Sequence, residues 1–468
     1  MLFERFEDEG LSQYSYAIGC EDARIVAIVD PRRDIEVYLE FAAARHVRIT
    51  HVLETHIHAD FASGARELAE RTGAALCLSA YDAGEIYEVA FPHRELRDGD
   101  HLELGRIHIQ ALHTPGHTPE HLSFLVYDTA RTAEMPALLL SGDFLFVGSV
   151  GRPDLVGGGT DAMLASAQYD SVQKVARLPD GLEVHPGHGA GSMCGAGMSA
   201  RPMSTVGFER AANPFLGAGL TREAFSERLL SELPPVPPYY RRMKVLNAQG
   251  PTALNGVPGT GPVTPGEFHA LVDEGHHVID LRDQIAFGGA HIPGAFGLGL
   301  GPNLSAWAAW VVPYDVPLLL VADDPSQTSD AVRALVRVGL DAVRGHLEGG
   351  MQAWIAAGYR VAALKQESPA DLLDTLSANP RLQVLDVRTK DEWRRGHICG
   401  ATHLMGGDVP QRAPELVRAG APLALVCQTG YRSTVAASVL ARAGLRDVRS
   451  VTGGMNAWQH AGLPVCTE

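Results

Sequence analysis

Along the first 240 residues, short apolar runs alternate with polar loops and a few stretches of helical period. YSYAIGC (14–20) and RIVAIVD (24–30) read as strands, because apolar, β-branched and aromatic residues dominate them. DIEVYLEFAAARH (34–46) predicts a helix, and VRITHVLETH (47–56) predicts a strand that ends on a histidine. ASGARELAERTG (62–73) predicts a second helix. ALCLSA, RIHIQALHT, LSFLVYD and ALLLSGD predict further strands. Strand ends that deliver His or Asp into loops are where α/β enzymes place their chemistry.

From residue 233 the pattern changes. LPPVPPYY and NAQGPTALNGVPGTGP (247–262) are rich in Pro and Gly and poor in apolar residues, a linker signature. An internal repeat follows. VIDLRDQIAFGGAHIPGA (278–295) matches VLDVRTKDEWRRGHICGA (384–401), LLLVADDPSQTS (318–329) matches LALVCQTGYRST (423–434), and LEGGMQAWIAAG (347–358) matches VTGGMNAWQHAG (451–462). Apolar strands alternate with helices in each copy, which predicts two small parallel sheets covered by helices.

The chain has 468 residues, room for about three domains at ~100–200 residues each. A formal charge of −16 removes the basic footprint that a nucleic-acid partner requires. The acidic start MLFERFEDEG does not read as a signal peptide. No apolar run reaches the ~20 residues of a membrane span, and PALLLSGDFLFVG is broken by Asp143. The six cysteines are Cys20, Cys77, Cys194, Cys399, Cys427 and Cys466, with no CxxC pair. That spacing suggests neither a disulfide framework nor a zinc ribbon, and a reducing cytoplasm is the expected location.

Histidines carry more information. Thr55-His56-Ile57-His58-Ala59-Asp60-Phe61 is followed by His113-Thr114-Pro115-Gly116-His117, by Ser141-Gly142-Asp143, and by His185-Pro186-Gly187-His188-Gly189. Each cluster sits just after an apolar run, so separate strand ends can converge on one point. Imidazole with carboxylate suits Fe, Zn or Mn. Over about residues 10–215 the chain resembles the metallo-β-lactamase superfamily, whose pattern is HxHxDH, a distant His, an Asp and a last His. The resemblance implies a first site of His56, His58, His117 and Asp143. It implies a second of Asp60, position 61, Asp143 and His188. Position 61 is Phe, which cannot ligate, so one ion per chain is expected. One metal with two His and one carboxylate on one face is the geometry of non-haem Fe(II) oxygenases. The chain also resembles the persulfide dioxygenases, which carry HTPGHT, SGD and GRxD, present as His113–Thr118, Ser141–Asp143 and Gly151–Asp154. In that family the ligands correspond to His56, His117 and Asp143, with His58 a weak ligand or a neighbour. Arg152 and Asp154 either pin the loop after Asp143 or join the site.

Two candidates are less specific. Cys194 is either a thiol near the metal mouth or a small buried apolar residue. Ser204–Arg210 resembles a segment of dioxygenase–rhodanese fusions, and Arg210 either meets a substrate carboxylate or forms an ion pair. With Asp60 as a catalytic candidate, His188, Cys194 and Arg210 complete the expected site around the metal.

Cys427-Gln428-Thr429-Gly430-Tyr431-Arg432-Ser433 lies between the strand LALVC and the helix TVAASVLARAG. Such a loop turns backbone N–H groups and a helix N-terminus toward the sulfur. Arg432 adds a fixed charge, and together these hold a persulfide or sulfite-like group. This resembles the rhodanese loop, which implies Cys427 as nucleophile with Arg432, Gly430 and Ser433 around its ligand. In the first copy Ala322 stands for Cys427 and Gln327 for Arg432, beside Asp323 and Asp324, so that copy is expected to be inactive.

The expected architecture is α/β: an αββα metallo-β-lactamase sandwich (1–245), a linker (246–262), an inactive rhodanese-like domain (263–365) and an active one (366–468). The resemblance implies oxidation of glutathione persulfide, or another small persulfide, to sulfite at one Fe(II) per chain. Zinc is the ion a recombinant sample can carry instead. Sulfane-sulfur transfer among thiosulfate, sulfite and thiols would follow on Cys427. No nucleic acid or membrane partner is expected, and a homo-oligomer is left open. The competing readings are a glyoxalase II-like thioesterase, which needs two metals, and a non-catalytic sulfur carrier or scaffold.

Overall fold

Strand alternation builds the N-terminal unit. In a computed structural model, which describes residues 1–217, 219–231 and 233–467, strands β1 (Leu2–Asp8), β2 (Gln13–Cys20), β3 (Ile25–Val29), β4 (Arg48–Leu53), β5 (Ala75–Ser79) and β6 (Arg94–Leu96) form one sheet in that order. A second sheet uses β7 (His101–Leu104), β8 (Ile107–His113), β9 (Leu122–Asp128) and β10 (Leu138–Gly142). A hairpin of β11 (Leu145–Phe146) and β12 (Ser149–Val150) follows, then β13 (Glu183–Pro186) and β14 (Ser204–Thr205). The spatial order is β14-β13-β10-β9-β8-β7, with β10 and β13 parallel.

Side chains alternate between the faces of these strands. Tyr16 and Ile18 enter a core shared with Ile109, Phe124 and Leu140 of the other sheet. Ala17 and Ile28 turn outward under helices α1 (Glu36–Arg45) and α2 (Ala65–Thr72), against Tyr38 and Leu68. Leu125 and Leu139 face α3 (Asp161–Val175), α4 (Val206–Ala212) and α5 (Arg222–Ser231) through Val172, Val206 and Phe225. Sealing each Leu, Ile, Val or Phe among these contributes about 1.5–3 kcal/mol. The result is the expected αββα sandwich. One further helix, α6 (Tyr239–Gln249), lies where the linker was expected to begin. The unit comprises Met1–Val257 with Val336–Gly339, so it runs past the expected boundary at 245.

The other unit comprises Pro258–Leu335 and Leu340 onward, and holds both copies of the repeat. In the first copy β15 (Pro262–Val263), β16 (His277–Asp280), β17 (Phe296–Gly297), β18 (Leu318–Val321) and β19 (Val343–Leu347) form a parallel sheet in the order β15-β19-β18-β16-β17. The second copy repeats this with β20 (Lys365–Glu367), β21 (Gln383–Asp386), β23 (Thr402–His403), β24 (Leu423–Val426) and β25 (Val448–Val451), in the order β20-β25-β24-β21-β23. Short strands β22 (His397–Ile398) and β26 (Val465–Cys466) pair antiparallel beside it. The two copies meet tightly. A Cβ on Gly407 would come 1.5 Å from Cε3 of Trp310, and one on Gly406 2.9 Å from Cη2 of Trp307.

One expectation is corrected here. Cys399 and Cys466, 67 residues apart, form a disulfide. The β22–β26 pairing that aligns them is not visible in cysteine spacing, and it sets Cys466 opposite His397.

Candidate metal centre

Strand β4 stops at Leu53, and the chain turns into a buried loop from Glu54 to Phe61. Asp30, at the end of β3, anchors that loop. It accepts the Thr55 N–H at 2.7 Å and the Thr55 hydroxyl at 2.9 Å. Glu120 accepts the Ile57 N–H at 2.9 Å. Sheet two delivers His117 from the β8–β9 turn, Asp143 just past β10 and His188 just past β13. Close approach of these loops needs glycine. A Cβ at Gly187 would lie 2.7 Å from Asp143 Oδ1, and one at Gly151 1.9 Å from the Asp143 carbonyl oxygen.

Donor atoms converge at this point. His56 Nε2 lies 3.8 Å and His117 Nε2 3.6 Å from Asp143 Oδ2. None of these three buried atoms has a hydrogen-bond partner. Orphaned buried polar atoms cost free energy unless a ligand satisfies them, so this set fits a metal ion. The far nitrogen of each ring is occupied: His117 Nδ1 donates to the Arg152 carbonyl at 2.8 Å, and His56 Nδ1 lies 2.9 Å from the Thr55 hydroxyl. That directs Nε2 lone pairs inward. Burial, with nearby cationic groups, pushes both imidazoles well below their usual range, which favours the neutral ligand form.

His58 differs from these two. Its Nε2 is 2.8 Å from Glu54 and 3.3 Å from Asp30, while Nδ1 is buried without a partner. Asp30, Glu54 and His58 form their own cluster beside the first. His188 is bridged by two carboxylates, with Nδ1 2.7 Å from Asp143 and Nε2 2.7 Å from Asp60. Against the cost of burial, Asp143 and Asp60 raise its pKa to about 10. Cys194 stands with Asp60 and His188, their ligand atoms within 4.8 Å of one another. Burial pushes the Cys194 thiol well up, and the Tyr240 hydroxyl is 3.9 Å from its sulfur.

Two arginines of the expected site are spent elsewhere. Arg152 is fully buried and donates to Asp154 at 2.7 and 2.8 Å, to the Met193 carbonyl at 3.0 Å and to the Pro234 carbonyl at 2.6 Å. It pins the loop whose carbonyl holds His117. Arg210 closes the C-terminus of α3, donating to the carbonyls of Ala176 and Leu178 at 2.7 and 2.9 Å and pairing with Asp180. Of the two roles left open for Arg210, the structure shows the ion pair, and the guanidinium also satisfies helix-end carbonyls.

Sequence reading missed helix α6. Tyr240, Lys244 and Asn247 lie at i, i+4 and i+7, on one helical face. Lys244 Nζ donates to the Ile57 carbonyl at 3.0 Å. Asn247 donates to the carbonyls of His58 and Phe61 at 2.9 and 2.7 Å and accepts the Ser63 N–H at 2.8 Å. The spacing was present in YYRRMKVLNAQ, but the Pro-rich run before it masked the helix.

In the second repeat copy Cys427 follows β24 and is buried. Its sulfur accepts from the Gly430 N–H at 3.1 Å and from the Ser433 hydroxyl at 3.5 Å. Gly430 has φ +102°, a conformation that favours glycine, and it starts helix α15 (Tyr431–Arg442). Arg432 donates to Glu392 at 2.8 and 2.6 Å. In the first copy Ala322 ends β18, and Asp324 caps a short 3₁₀ turn, Pro325–Gln327.

The chain belongs to the metallo-β-lactamase superfamily, whose model matches residues 9–188, and it carries two rhodanese-like domains, matched at 264–357 and 368–461. It is similar to a metallo-β-lactamase structure from Staphylococcus aureus, at 34% identity and a TM-score of 0.67 over 74% of this chain and 98% of that one. It is also similar to the hydroxyacylglutathione hydrolase of Anaeromyxobacter dehalogenans, 32% identical over 242 residues, which are 46% of this chain and 86% of the relative. The Polaromonas sp. hydroxyacylglutathione hydrolase is 33% identical over 190 residues, 40% of this chain, and the match spans 66% of that protein's length. Among the described residues no helix is long and apolar enough to cross a membrane.

Proposed function

We propose that the N-terminal unit is a mononuclear iron persulfide dioxygenase and that Cys427 carries sulfane sulfur for the same chemistry. The observation behind this reading is the trio His56 Nε2, His117 Nε2 and Asp143 Oδ2, orphaned and convergent, beside Phe61 where a further imidazole would stand. Two imidazoles and one carboxylate match the facial set of non-haem Fe(II) oxygenases. Iron held there would supply open coordination positions and redox chemistry for a persulfide and O2. The protein's own part is placement. Arg152 and Thr55 fix the two rings, Asp30 and Glu120 hold the loop, and the buried walls exclude water. The net reaction is R–SSH + O2 + H2O → R–SH + SO3²⁻ + 2 H⁺. In the second rhodanese copy the Cys427 thiolate takes sulfane sulfur from thiosulfate and releases sulfite, and runs in reverse toward sulfite as acceptor.

Cytoplasmic location and a small persulfide as substrate, glutathione persulfide or another, belong to the same proposal. A second reading, a two-metal thioesterase, is favoured by the hydrolase relatives and by the Asp60–His188–Cys194 cluster. Oxygen uptake with glutathione persulfide by protein loaded anaerobically with iron tests the first. Hydrolysis of an acyl-glutathione thioester without O2 uptake, at two metals per chain, would replace it with the second.

A further inference from the structure

Arg432 interacts with Cys427, and its guanidinium is also held by a carboxylate. Nη1 and Nη2 donate to the two oxygens of Glu392 at 2.8 and 2.6 Å. Glu392 is the third residue of helix α13 (Lys390–Arg395), and it closes a capping box with Thr389. Although burial acts the other way, Arg432 and the Thr389 N–H hold the carboxyl down to about 2.

The internal repeat supplies a control for what this pair does. Residues that build the module keep their partners in both copies. Arg388 donates to Asp386 at 2.7 Å and to the Gly396 carbonyl at 2.6 Å; Arg282 donates to Asp280 at 2.6 Å and to the Ala290 carbonyl at 2.6 Å. His397 stacks on Trp393 at 3.5 Å between centroids, and His291 stacks on Phe287 at 4.0 Å. Among the positions that differ between the copies are the three that matter to this pair. Where the second copy has Cys427, Arg432 and Glu392, the first has Ala322, Gln327 and Ala286. The helix N-terminus survives without Glu392, because Asp283 caps its equivalent in the first copy. A glutamate is thus not needed to cap this helix in the first copy, where the cysteine and the arginine are also absent.

We propose that Glu392 is a charge gate of the sulfur-carrying site: its carboxylate engages the Arg432 guanidinium, and an anionic sulfur donor must compete with it for that cation. This rests on reading the copy as a thiosulfate-handling rhodanese. In the step concerned, the Cys427 thiolate attacks the sulfane sulfur of thiosulfate. A new S–S bond forms, the S–S bond of thiosulfate breaks, and its electron pair leaves with sulfite. A dianion gains more from Arg432 than a monoanion does, but it is also repelled about twice as strongly by Glu392. The carboxylate thus lowers preference for the more highly charged donor.

Glu392→Gln removes the charge and keeps a side chain suited to the capping box. In the full chain, the KM for thiosulfate is expected to fall about threefold to tenfold, with that for the monoanion methanethiosulfonate falling by roughly the square root of this factor. The kcat should change less than KM for both donors. A capping role alone would leave the ratio of the two KM values unmoved. Sulfate binding to Cys427→Ser, with and without Glu392→Gln, measured calorimetrically, needs no turnover and should tighten in parallel. If the wild type shows no sulfurtransferase activity, the functional reading fails while the sulfate comparison still reports on the gate. Should Glu392→Gln fail to fold, Glu392→Asp shortens the carboxylate's reach and is expected to shift the KM ratio in the same direction by a smaller factor. Equal KM changes for both donors, no change, or weaker sulfate binding would each overturn the proposal.

Discussion

The Phe61 ring lies 4.3 Å, centroid to centroid, from the His58 imidazole, and both are sealed from solvent. An apolar ring thus packs against the ligand loop at the position where the superfamily pattern has a histidine. Asp60, His188 and Cys194 already stand within 4.8 Å of one another. Phe61→His is expected to add an imidazole to that group, to bind a second zinc ion, and to lower O2 consumption. The lost packing should cost about 1–3 kcal/mol, read by thermal denaturation. A folded variant with one ion and full activity would show that something other than Phe61 closes the second position.

Metal content should be one ion per chain by elemental analysis, and His117→Ala should abolish its retention. Two ions bridged by Asp143 would remove the basis for the dioxygenase reading.

Cys427→Ser should abolish thiosulfate sulfurtransferase activity while O2 uptake with a small persulfide continues. Retained transfer would place the nucleophile elsewhere, and Cys194 would be examined next.

Asn247 bonds three backbone groups of the ligand loop. Asn247→Ala leaves them unpaired, at about 1–3 kcal/mol for each buried group that finds no water. The variant is expected to lose metal faster to a chelator, at unchanged ligands. An unaltered loss rate would mean that α6 does not brace the loop.

Acid should loosen the Glu392–Arg432 pair. The folded carboxyl titrates at about 2, below its usual value. The pair's contribution is therefore complete above the ordinary glutamate range, about pH 5, and is lost as pH falls toward 2. Glu392→Gln should flatten that part of the melting-temperature profile relative to wild type. Parallel profiles would show that the pair adds nothing to stability.

The sheets were legible because apolar alternation is local, and the clusters around His56, His117, Asp143 and His188 were legible because each follows its own strand. Strand β4 nevertheless ends at Leu53, short of the histidine it was expected to carry. Three features stayed hidden because they depend on contacts distant in sequence. Asp30 meets Thr55 across two parallel strands. Lys244 and Asn247 reach the loop from 187 and 189 positions away. Arg210 was left open between two roles because sequence does not show the helix end it closes. Glu392 differs between the aligned copies, but its bond to Arg432, 40 positions away, is shown only by the structure.

Gly406 and Gly407 lie under Trp307 and Trp310 of the copy that lacks a cysteine, at distances no other residue would fit. That copy therefore has a packing role whether or not its own loop carries chemistry. Excising residues 263–365 would lay bare the bed on which two indoles rest, inviting aggregation.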